Sequence, residues 1–490
     1  MPYNYYYYDG QVDSAEVDYD SIFEENQPIY EWRNTYETCI IPSTLQILWY
    51  MSILIGWSFI NRVGLAVFVR LQIRHEWILH TVSILPGSCI LYITAGLNSL
   101  IIAFIAGLSY VMFLLLNRFA FCRKNMGIIM LAFTISVHLG SEVIWKRQLA
   151  WQVIKGSIMV ANMKIISVAF EIAETALKSQ QNITVPNVFS FLGYIFMPST
   201  LIIGPWVPFS AYLHSIHQSP SISHYRWVVW CLLCSVLSLS FINLSNCIVP
   251  LIFSSQSPVW MRIFRDALAV RCSHYFVSFL SQASIASSGI SLDKESKANA
   301  WLGHMITKPL NVEFPRSLNT VVRSWNIPMH IFLKEYIFRG VYKRFHSQLL
   351  AIFITYFVSS LLHGEYLKIY LVLLSLASFG YIEYKIRLKI ASAFNACVAA
   401  NICRNPCHYK YCPSHGWTSD GAVIVQLVNI SFSILTIFHL AYLGAMMSDP
   451  TEEEDAPEIT GYYDYLKAWS IVSYSNHWIA LFTYVLFLAI

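Results

Sequence analysis

The stretch SLIIAFIAGLSYVMFLLL, at residues 99–116, contains no charged residue. A helix needs about 20 mostly apolar residues to cross a bilayer, so this stretch predicts a transmembrane helix. Ten further runs share its character: 44–69, 77–97, 126–145, 151–171, 187–213, 227–253, 347–363, 366–383, 422–446 and 467–490. We therefore expect an all-α, polytopic integral membrane protein with about eleven transmembrane helices.

The composition of the whole chain supports this class. Of 490 residues, 56% are hydrophobic and only 12% are charged, whereas a soluble chain has about 25% charged residues. The mean hydropathy is +0.50. A net charge of +4 is too balanced to indicate a nucleic-acid partner. The composition also excludes a disordered chain and a disulfide-stapled secreted module, so membrane lipid is the expected surrounding.

Two regions differ from this apolar pattern. Residues 1–40 are acidic and rich in tyrosine, without apolar periodicity, which predicts a mostly disordered tail. Residues 255–345 contain apolar stretches that are interrupted by Arg and Lys, and charged residues are costly at the bilayer centre. We expect this second region to form interfacial or re-entrant helices packed against protein, within one transmembrane domain over residues 41–490.

The charges of the loops predict the orientation, because cytoplasmic loops carry an excess of Lys and Arg. Basic residues follow the first and third apolar runs, precede the eighth and follow the ninth, so these loops are assigned to the cytosol. The acidic tail and the acidic segment TEEEDAPE, at 451–458, are then assigned to the lumen.

Two polar segments are the candidates for chemistry. The first is SWNIP at 324–328, preceded by FPRS at 314–317, and the second is LLHG at 361–364, where His363 ends an apolar run. An ionisable residue within a span is a functional candidate, although a single histidine on a helix is more often a packed core residue. The combination of Asn326 with His363 is more specific than either residue alone.

Asn326 and His363 lie 37 residues apart, and this pairing resembles the signature of the membrane-bound O-acyltransferase family. The segments MKIISVAFE at 163–171, GPWVPF at 204–209 and FHLAYLG at 438–444 also resemble family motifs. FPRS and SWNIP are similar to the branch of the family that acylates Wnt proteins. The resemblance implies transfer of a palmitoleoyl group from palmitoleoyl-CoA to a serine of a Wnt protein, in the endoplasmic reticulum membrane.

The resemblance also implies roles for both residues: His363 is the catalytic histidine and Asn326 the second family residue. A serine hydroxyl is a weak nucleophile at neutral pH, so we expect His363 to act as its general base. Asn326 is not a base. Its amide would donate a hydrogen bond to the thioester carbonyl, or orient the thioester or His363, and the sequence leaves these roles open. No cofactor is expected beyond the acyl-CoA substrate.

Five further residues are candidates for substrate binding. Arg316 and Arg323 flank the motif region, and a guanidinium binds phosphate in a bidentate manner, so both are candidates for the phosphates of coenzyme A. The alternative for these two is contact with lipid headgroups. Trp325 and Tyr356 are candidates for the wall of an acyl or thioester channel, with ordinary aromatic packing as the alternative. Ser324 is assigned to the same substrate-binding group.

The segment CVAANICRNPCHYKYCPSH, at 397–415, is rich in residues that bind zinc. The candidate ligands are Cys397, Cys403, Cys407, His408, Cys412 and His415. Their spacing is not a standard CxxC pair, so we expect no metal here, with S-acylation or reduced thiols as the alternatives to zinc. The cytosolic assignment of the loop disfavours disulfides.

Other functions remain open at this stage. An enzyme of the same family with a lipid or small peptide as acceptor is the nearest alternative, and FPRS and SWNIP favour the protein acyltransferase over it. A transporter or channel would be active without acyl-CoA. A scaffold that carries a Wnt protein without chemistry would keep its function after His363→Ala.

Overall fold

The fold is helical throughout the part of the chain that the structure describes. This computed structural model describes residues 32–72, 75–145, 149–177, 185–217, 225–253, 257–290, 305–364, 367–401, 403, 407–412, 421–447 and 466–490. Apart from one isolated bridge between Ala396 and Tyr411, the secondary structure in these ranges is helical, which confirms the all-α prediction. Residues 1–31 of the predicted tail lie outside the described residues, and a helix is already present from Trp32.

Seven helices in the described ranges are long and apolar enough to cross a membrane: Trp32–Arg70, Glu76–Asn117, Met126–Trp145, Val153–Leu177, Arg226–Ile252, Leu367–Phe394 and Ala422–Gly444. Two apolar helices are shorter: Gln348–Leu362 and Ser475–Ala489. Large apolar side chains such as Leu97, Phe104 and Leu488 are exposed, as expected where lipid covers them. The chain is a membrane protein, and the total of eleven crossings remains a prediction.

The second and third predicted runs form one helical stretch with a break at its middle. The helices Glu76–Ala95 and Ser99–Asn117 are separated by a single 3₁₀ turn. Gly96 begins this turn with φ +57°, a conformation that a side chain disfavours and that glycine adopts without strain. The break therefore separates the two predicted runs at residues 96–98.

The predicted span at 187–213 is wrong. The structure has three short helices there, Val188–Ile195, Pro198–Leu201 and Phe209–His217. Proline cannot continue a helix from its interior, and prolines at 198, 205 and 208 interrupt the run. Residues 193–201 are buried in the protein, which is where irregular backbone is tolerated at membrane depth.

Lys164 stabilises this broken segment. The lysine lies on the Leu149–Leu177 helix and is fully buried. Its Nζ donates to the carbonyl oxygens of Tyr194 and Ile195, at 2.8 and 3.1 Å, and to Thr200 Oγ1 at 2.8 Å. Tyr194 and Ile195 end the first short helix, whose last carbonyls have no partner within the helix. The buried Nζ of Lys164 therefore joins the end of the first short helix to the second.

The first part of the region at 255–345 forms a single long helix. Val259–Ser288 is one continuous helix of 30 residues, about 45 Å long at 1.5 Å per residue. Its charged residues, among them Arg262, Arg265 and Arg271, lie in the first half, and residues 278–288 are almost all buried. The helix is therefore long enough to cross the membrane, and it packs against protein as expected.

The remainder of this region forms short helices, as predicted. They are Pro309–Glu313, Leu318–Trp325, Ile327–Phe332, Leu333–Phe338 and Arg339–Phe345. Leu318–Trp325 buries Leu318, Val321 and Ser324 on one face. The apolar helix Gln348–Leu362 follows, and Ser347 caps it by accepting from Leu350 N at 3.3 Å. SWNIP and LLHG thus lie at the ends of short helices.

Candidate active site

Asn326 occupies the junction between Leu318–Trp325 and Ile327–Phe332. Its backbone is extended, with φ −139° and ψ +90°, and its side-chain Oδ1 accepts a hydrogen bond from Met329 N at 3.1 Å. This is an N-cap, which satisfies one of the free N–H groups at the start of the second helix. The cap fixes the amide with its oxygen towards the helix, so the NH₂ group is the part that can donate elsewhere.

The backbone around Asn326 is held by the neighbouring segment at 306–308. Ser324 O accepts from Lys308 N at 2.9 Å and from Thr307 Oγ1 at 3.1 Å, and Ile327 N donates to Ile306 O at 2.8 Å. Ser324 itself is buried, and its hydroxyl accepts from Asn311 Nδ2 at 3.2 Å. The structure therefore gives Ser324, a sequence-based candidate for substrate binding, a role in supporting this junction.

Trp325 is stacked on the long helix Val259–Ser288. Its indole lies 4.1 Å from the His274 ring, centroid to centroid, with 6° between the planes. The His274 Nε2 is 2.8 Å from Trp325 O, so the same pair is joined through the backbone as well. Both contacts limit the rotation of Trp325 and fix the position of the residue next to Asn326.

His363 lies immediately after the last residue of Gln348–Leu362 and is half-buried. Its backbone N donates to Ser360 O at 3.0 Å, and the next residue, Gly364, has φ +93°. A Cβ added at Gly364 would overlap the carboxylate of Glu142. Glycine is therefore required at this position for two reasons: the positive φ angle, and the lack of space for a Cβ beside Glu142.

Glu142 and His138 are candidate site residues that the sequence interpretation missed or set aside. Both lie on Met126–Trp145, about one helical turn apart, and both are buried. Glu142 contacts Gly364, and His138 is close enough to His363 for an electrostatic interaction. Within the described part of the chain, His138 Nδ1 has no hydrogen-bond partner. A carboxylate one turn after a histidine, inside an apolar run, was the signal that could have found this pair.

The elements that carry the family motifs converge in one buried cluster. Met163, Trp206, Phe332, Val358 and Leu362 all belong to it. Met163 belongs to MKIISVAFE and Trp206 to GPWVPF. Phe332 lies on Ile327–Phe332, which Asn326 caps, and the other two lie on Gln348–Leu362, which His363 follows. The helices that carry Asn326 and His363 are therefore packed together, although their motifs are far apart in sequence. Tyr356 lies on the second of these helices and is half-buried.

Arg316 and Arg323 have different surroundings. Arg316 donates to two backbone carbonyls of the cysteine-rich segment, Ala399 O at 3.1 Å and Cys397 O at 2.9 Å. Arg323 is exposed and donates to Asn401 Oδ1 at 3.0 Å. Arg316 is thus engaged in holding a loop, whereas the guanidinium of Arg323 is accessible to a ligand from solvent.

His330 is a further titratable group near this junction, outside the apolar spans. Its backbone N donates to Asn326 O at 2.9 Å. Burial lowers the pKa of His330, and the positive charges of Arg323 and Lys334 lower it further. The ring is therefore neutral at neutral pH, because its unperturbed pKa of about 6.5 is already below 7.

The cysteine-rich segment brings four thiols together. The Sγ atoms of Cys397, Cys403, Cys407 and Cys412 all lie within 4.8 Å of one another. His408, another sequence-based candidate ligand, has its ring 4.1 Å from that of Tyr409, and His415 lies outside the described residues. This convergence argues against the expectation that the segment binds no metal.

Comparison with known proteins identifies the family. The sequence profile of the membrane-bound O-acyltransferase (MBOAT) family matches residues 88–382. The chain belongs to the MBOAT family. This confirms the resemblance inferred from the motifs, and the matched range contains His138, Glu142, Asn326 and His363. The cysteine-rich segment lies beyond the MBOAT match.

Several MBOAT relatives are named "Protein-serine O-palmitoleoyltransferase porcupine". The Drosophila melanogaster protein is 38% identical over 71% of this chain and 66% of its own length. The Anopheles gambiae protein is 32% identical over 74% of each chain. The Homo sapiens protein is 29% identical over 90% of this chain and 94% of its own. This chain is therefore similar to the porcupine proteins well beyond the motifs.

Proposed function

We propose that this protein transfers a palmitoleoyl group from palmitoleoyl-CoA to a serine hydroxyl of a Wnt protein, in the endoplasmic reticulum membrane. The observation that carries the proposal is the similarity, over most of the chain, to relatives named protein-serine O-palmitoleoyltransferase. The packing of the Asn326 and His363 helices in one buried cluster supports it. The Wnt acceptor and the compartment follow from the resemblance of FPRS and SWNIP.

His363 is the general base in this proposal. As the serine oxygen attacks the thioester carbonyl, its proton moves to the imidazole, and a C–O bond forms. The C–S bond of the tetrahedral intermediate then breaks, and the imidazolium returns the proton to the coenzyme A sulfur. No acyl-enzyme is needed, because the acceptor alcohol attacks the donor directly.

Glu142 is a positioning residue for His363. Its carboxylate contacts Gly364, the residue after His363, and His138 is within electrostatic range of the same ring. A buried carboxylate beside an imidazole stabilises the positive charge that the ring gains when it accepts a proton. The pair on Met126–Trp145 thus supplies the polar side of an otherwise apolar site.

Asn326 stabilises the carbonyl side of the reaction. Its Oδ1 is used by the cap on Met329 N, which leaves the NH₂ group as the donor towards developing negative charge on the thioester oxygen. Trp325 and Tyr356 line the acyl and thioester channel in this proposal. Arg323 contributes to binding the phosphates of coenzyme A at the cytosolic side, because a guanidinium pairs well with phosphate.

Acyl transfer by the purified full-length protein tests the proposal. With palmitoleoyl-CoA and a Wnt serine peptide in detergent, wild type is expected to form the ester. His363→Ala is expected to lower kcat by about 10² to 10⁴, the usual contribution of a general base. His75→Ala, which changes an exposed histidine, is the matched control and should retain activity.

The same assay discriminates between the alternatives. Thermal stability and palmitoleoyl-CoA binding of His363→Ala should match those of wild type, so that lost transfer reflects chemistry. If His363→Ala transferred the acyl group at the wild-type rate, His363 would not be the general base. Transfer to a lysophospholipid but not to the peptide would reject the protein acceptor.

A further inference from the structure

The four cysteine thiols beyond the MBOAT match form a compact cluster. Cys397, Cys407 and Cys412 are buried and Cys403 is half-buried. Every pair of Sγ atoms lies within 4.8 Å, and Cys403 Sγ is 3.6 Å from Cys412 Sγ. Four thiols that approach one another in this way surround a common centre.

The spacing of these atoms matches that of a tetrahedral metal site. A Zn–S bond is about 2.3 Å, so two thiolates on one tetrahedral zinc ion are about 3.8 Å apart. A pair of disulfides would instead bring the sulfurs together two by two, at about 2.0 Å. The loop is also assigned to the cytosol by its basic flanks, where disulfides are rare.

We propose that Cys397, Cys403, Cys407 and Cys412 bind one Zn²⁺ ion as a closed structural site. Four thiolates in tetrahedral arrangement are the ligand set that selects zinc among the common divalent ions. All four coordination positions are filled by protein, so the ion has a structural role and leaves no open position for a substrate.

A basic side chain compensates the charge of this site. Zinc with four thiolates carries a net charge of −2, and Arg316 Nη2 lies 3.9 Å from Cys397 Sγ. The same guanidinium donates to Cys397 O at 2.9 Å. Contacts of this kind, from outside the ligand set, orient the ligands and tune the affinity of a metal site.

The site is connected to the segment that leads to Asn326. Three backbone carbonyls of the loop accept hydrogen bonds from side chains outside it. Two donors belong to FPRS: Arg316 donates to Ala399 O, and Ser317 Oγ donates to Ala400 O at 3.1 Å. The third is Arg387 on Leu367–Phe394, whose Nε donates to Val398 O at 2.8 Å. Ser317 caps the Leu318–Trp325 helix, which ends at Asn326. Zinc therefore stabilises the loop that anchors the start of this helix.

Metal analysis of the full-length protein tests the proposal. After purification in detergent without chelator, we expect about one zinc per chain, since the four ligands form one site. Cys403→Ser and Cys412→Ser are each expected to remove most of the zinc. Cys122→Ser, at a cysteine on the Ala120–Lys124 helix, is the matched control and should retain it.

A second measurement covers the case in which the serine variants do not fold. Treatment of wild type with a strong chelator should lower its Tm and expose additional thiols to an alkylating reagent, and added Zn²⁺ but not Mg²⁺ should reverse both effects. Wild type that contains no zinc, contains iron in its place, or has these four cysteines blocked by acylation or disulfides would overturn the proposal.

Discussion

At the scale of single residues, Lys164 shows how a charge is accommodated inside an apolar bundle. The sequence places it within a predicted span, where an isolated ammonium is costly. In the structure it donates to three oxygen atoms at the junction of two short helices. Positive charge is favourable at the carbonyl end of a helix. Lys164 therefore obtains partners for its own buried Nζ and also satisfies the free carbonyls at the end of Val188–Ile195.

We expect Lys164→Met to destabilise the protein substantially. The change leaves three buried acceptors without their donor, and each unsatisfied group costs about 1–3 kcal/mol. The measurement is Tm in detergent, with Lys343→Met, at an exposed lysine, as the control. A Tm equal to that of the control would show that the carbonyls at this junction find other partners.

At the scale of elements, the two arginines near the SWNIP motif illustrate two different uses of one side chain. Arg316 connects the FPRS segment to the cysteine-rich loop, whereas Arg323 projects from the exposed face of Leu318–Trp325. The sequence presents them as equivalent candidates for phosphate binding. Packing of the loop against the helix makes one structural and leaves the other accessible.

Arg323→Ala is expected to raise KM for palmitoleoyl-CoA about tenfold, the effect of losing about 1.4 kcal/mol, with little change in kcat. Arg316→Ala is expected instead to lower Tm, because it removes the hydrogen bonds that hold the loop. Steady-state kinetics and thermal melting separate the two effects. Arg344→Ala, at an exposed arginine, controls for the loss of a basic charge, and an unchanged KM in Arg323→Ala would reject the phosphate contact.

At the scale of the whole molecule, a disulfide between Cys39 and Cys247 constrains the topology. Cys39 lies near the start of the first long apolar helix, Trp32–Arg70, and Cys247 is near the end of the helix Arg226–Ile252. Bonded cysteines lie on the same side of the membrane, which requires an even number of crossings between them. Together with the six other predicted runs from 44–69 to 227–253, a crossing at 187–213 would make this number odd, so the disulfide agrees with its exclusion as a span.

Disulfides persist in oxidising environments and are rare in the cytosol, which agrees with the non-cytosolic side predicted for the N-terminal tail. If Val259–Ser288 crosses the membrane, it takes the place of the predicted span at 187–213 in the count of crossings. The later loops then stay on the sides predicted from their charges. The basic loops thereby remain cytosolic, in agreement with the excess of Lys and Arg.

Glycosylation mapping tests this arrangement. A cassette with an Asn-X-Thr sequon inserted after residue 255 should receive a glycan, because this loop is predicted to face the lumen. The same cassette inserted after Lys124, which follows three predicted crossings, should remain unmodified. Glycan on the second cassette and none on the first would invert the topology.

Much of the fold was predictable from local sequence. Uncharged runs such as 99–116 predict helices because a bilayer demands about 20 apolar residues with all backbone hydrogen bonds satisfied internally. The prediction of a transmembrane helix at 187–213 was wrong because it rested on the number of apolar residues and ignored the three prolines, which interrupt a helix. The helix at Val259–Ser288 carries charges that interrupt its apolar pattern, and two of its arginines have acidic partners: Arg265 contacts Asp266 at 2.7 Å and Arg271 contacts Glu313 at 2.8 Å.

The sequence by itself determined the helical class, the membrane setting, the family and the choice of Asn326 and His363 as candidates, because these depend on composition and short motifs. Only the tertiary structure decided that Glu142 contacts Gly364, the residue after His363, that Arg316 holds a loop, and that four cysteines meet. Contacts between residues far apart in sequence follow from how helices pack, and no local pattern encodes that packing.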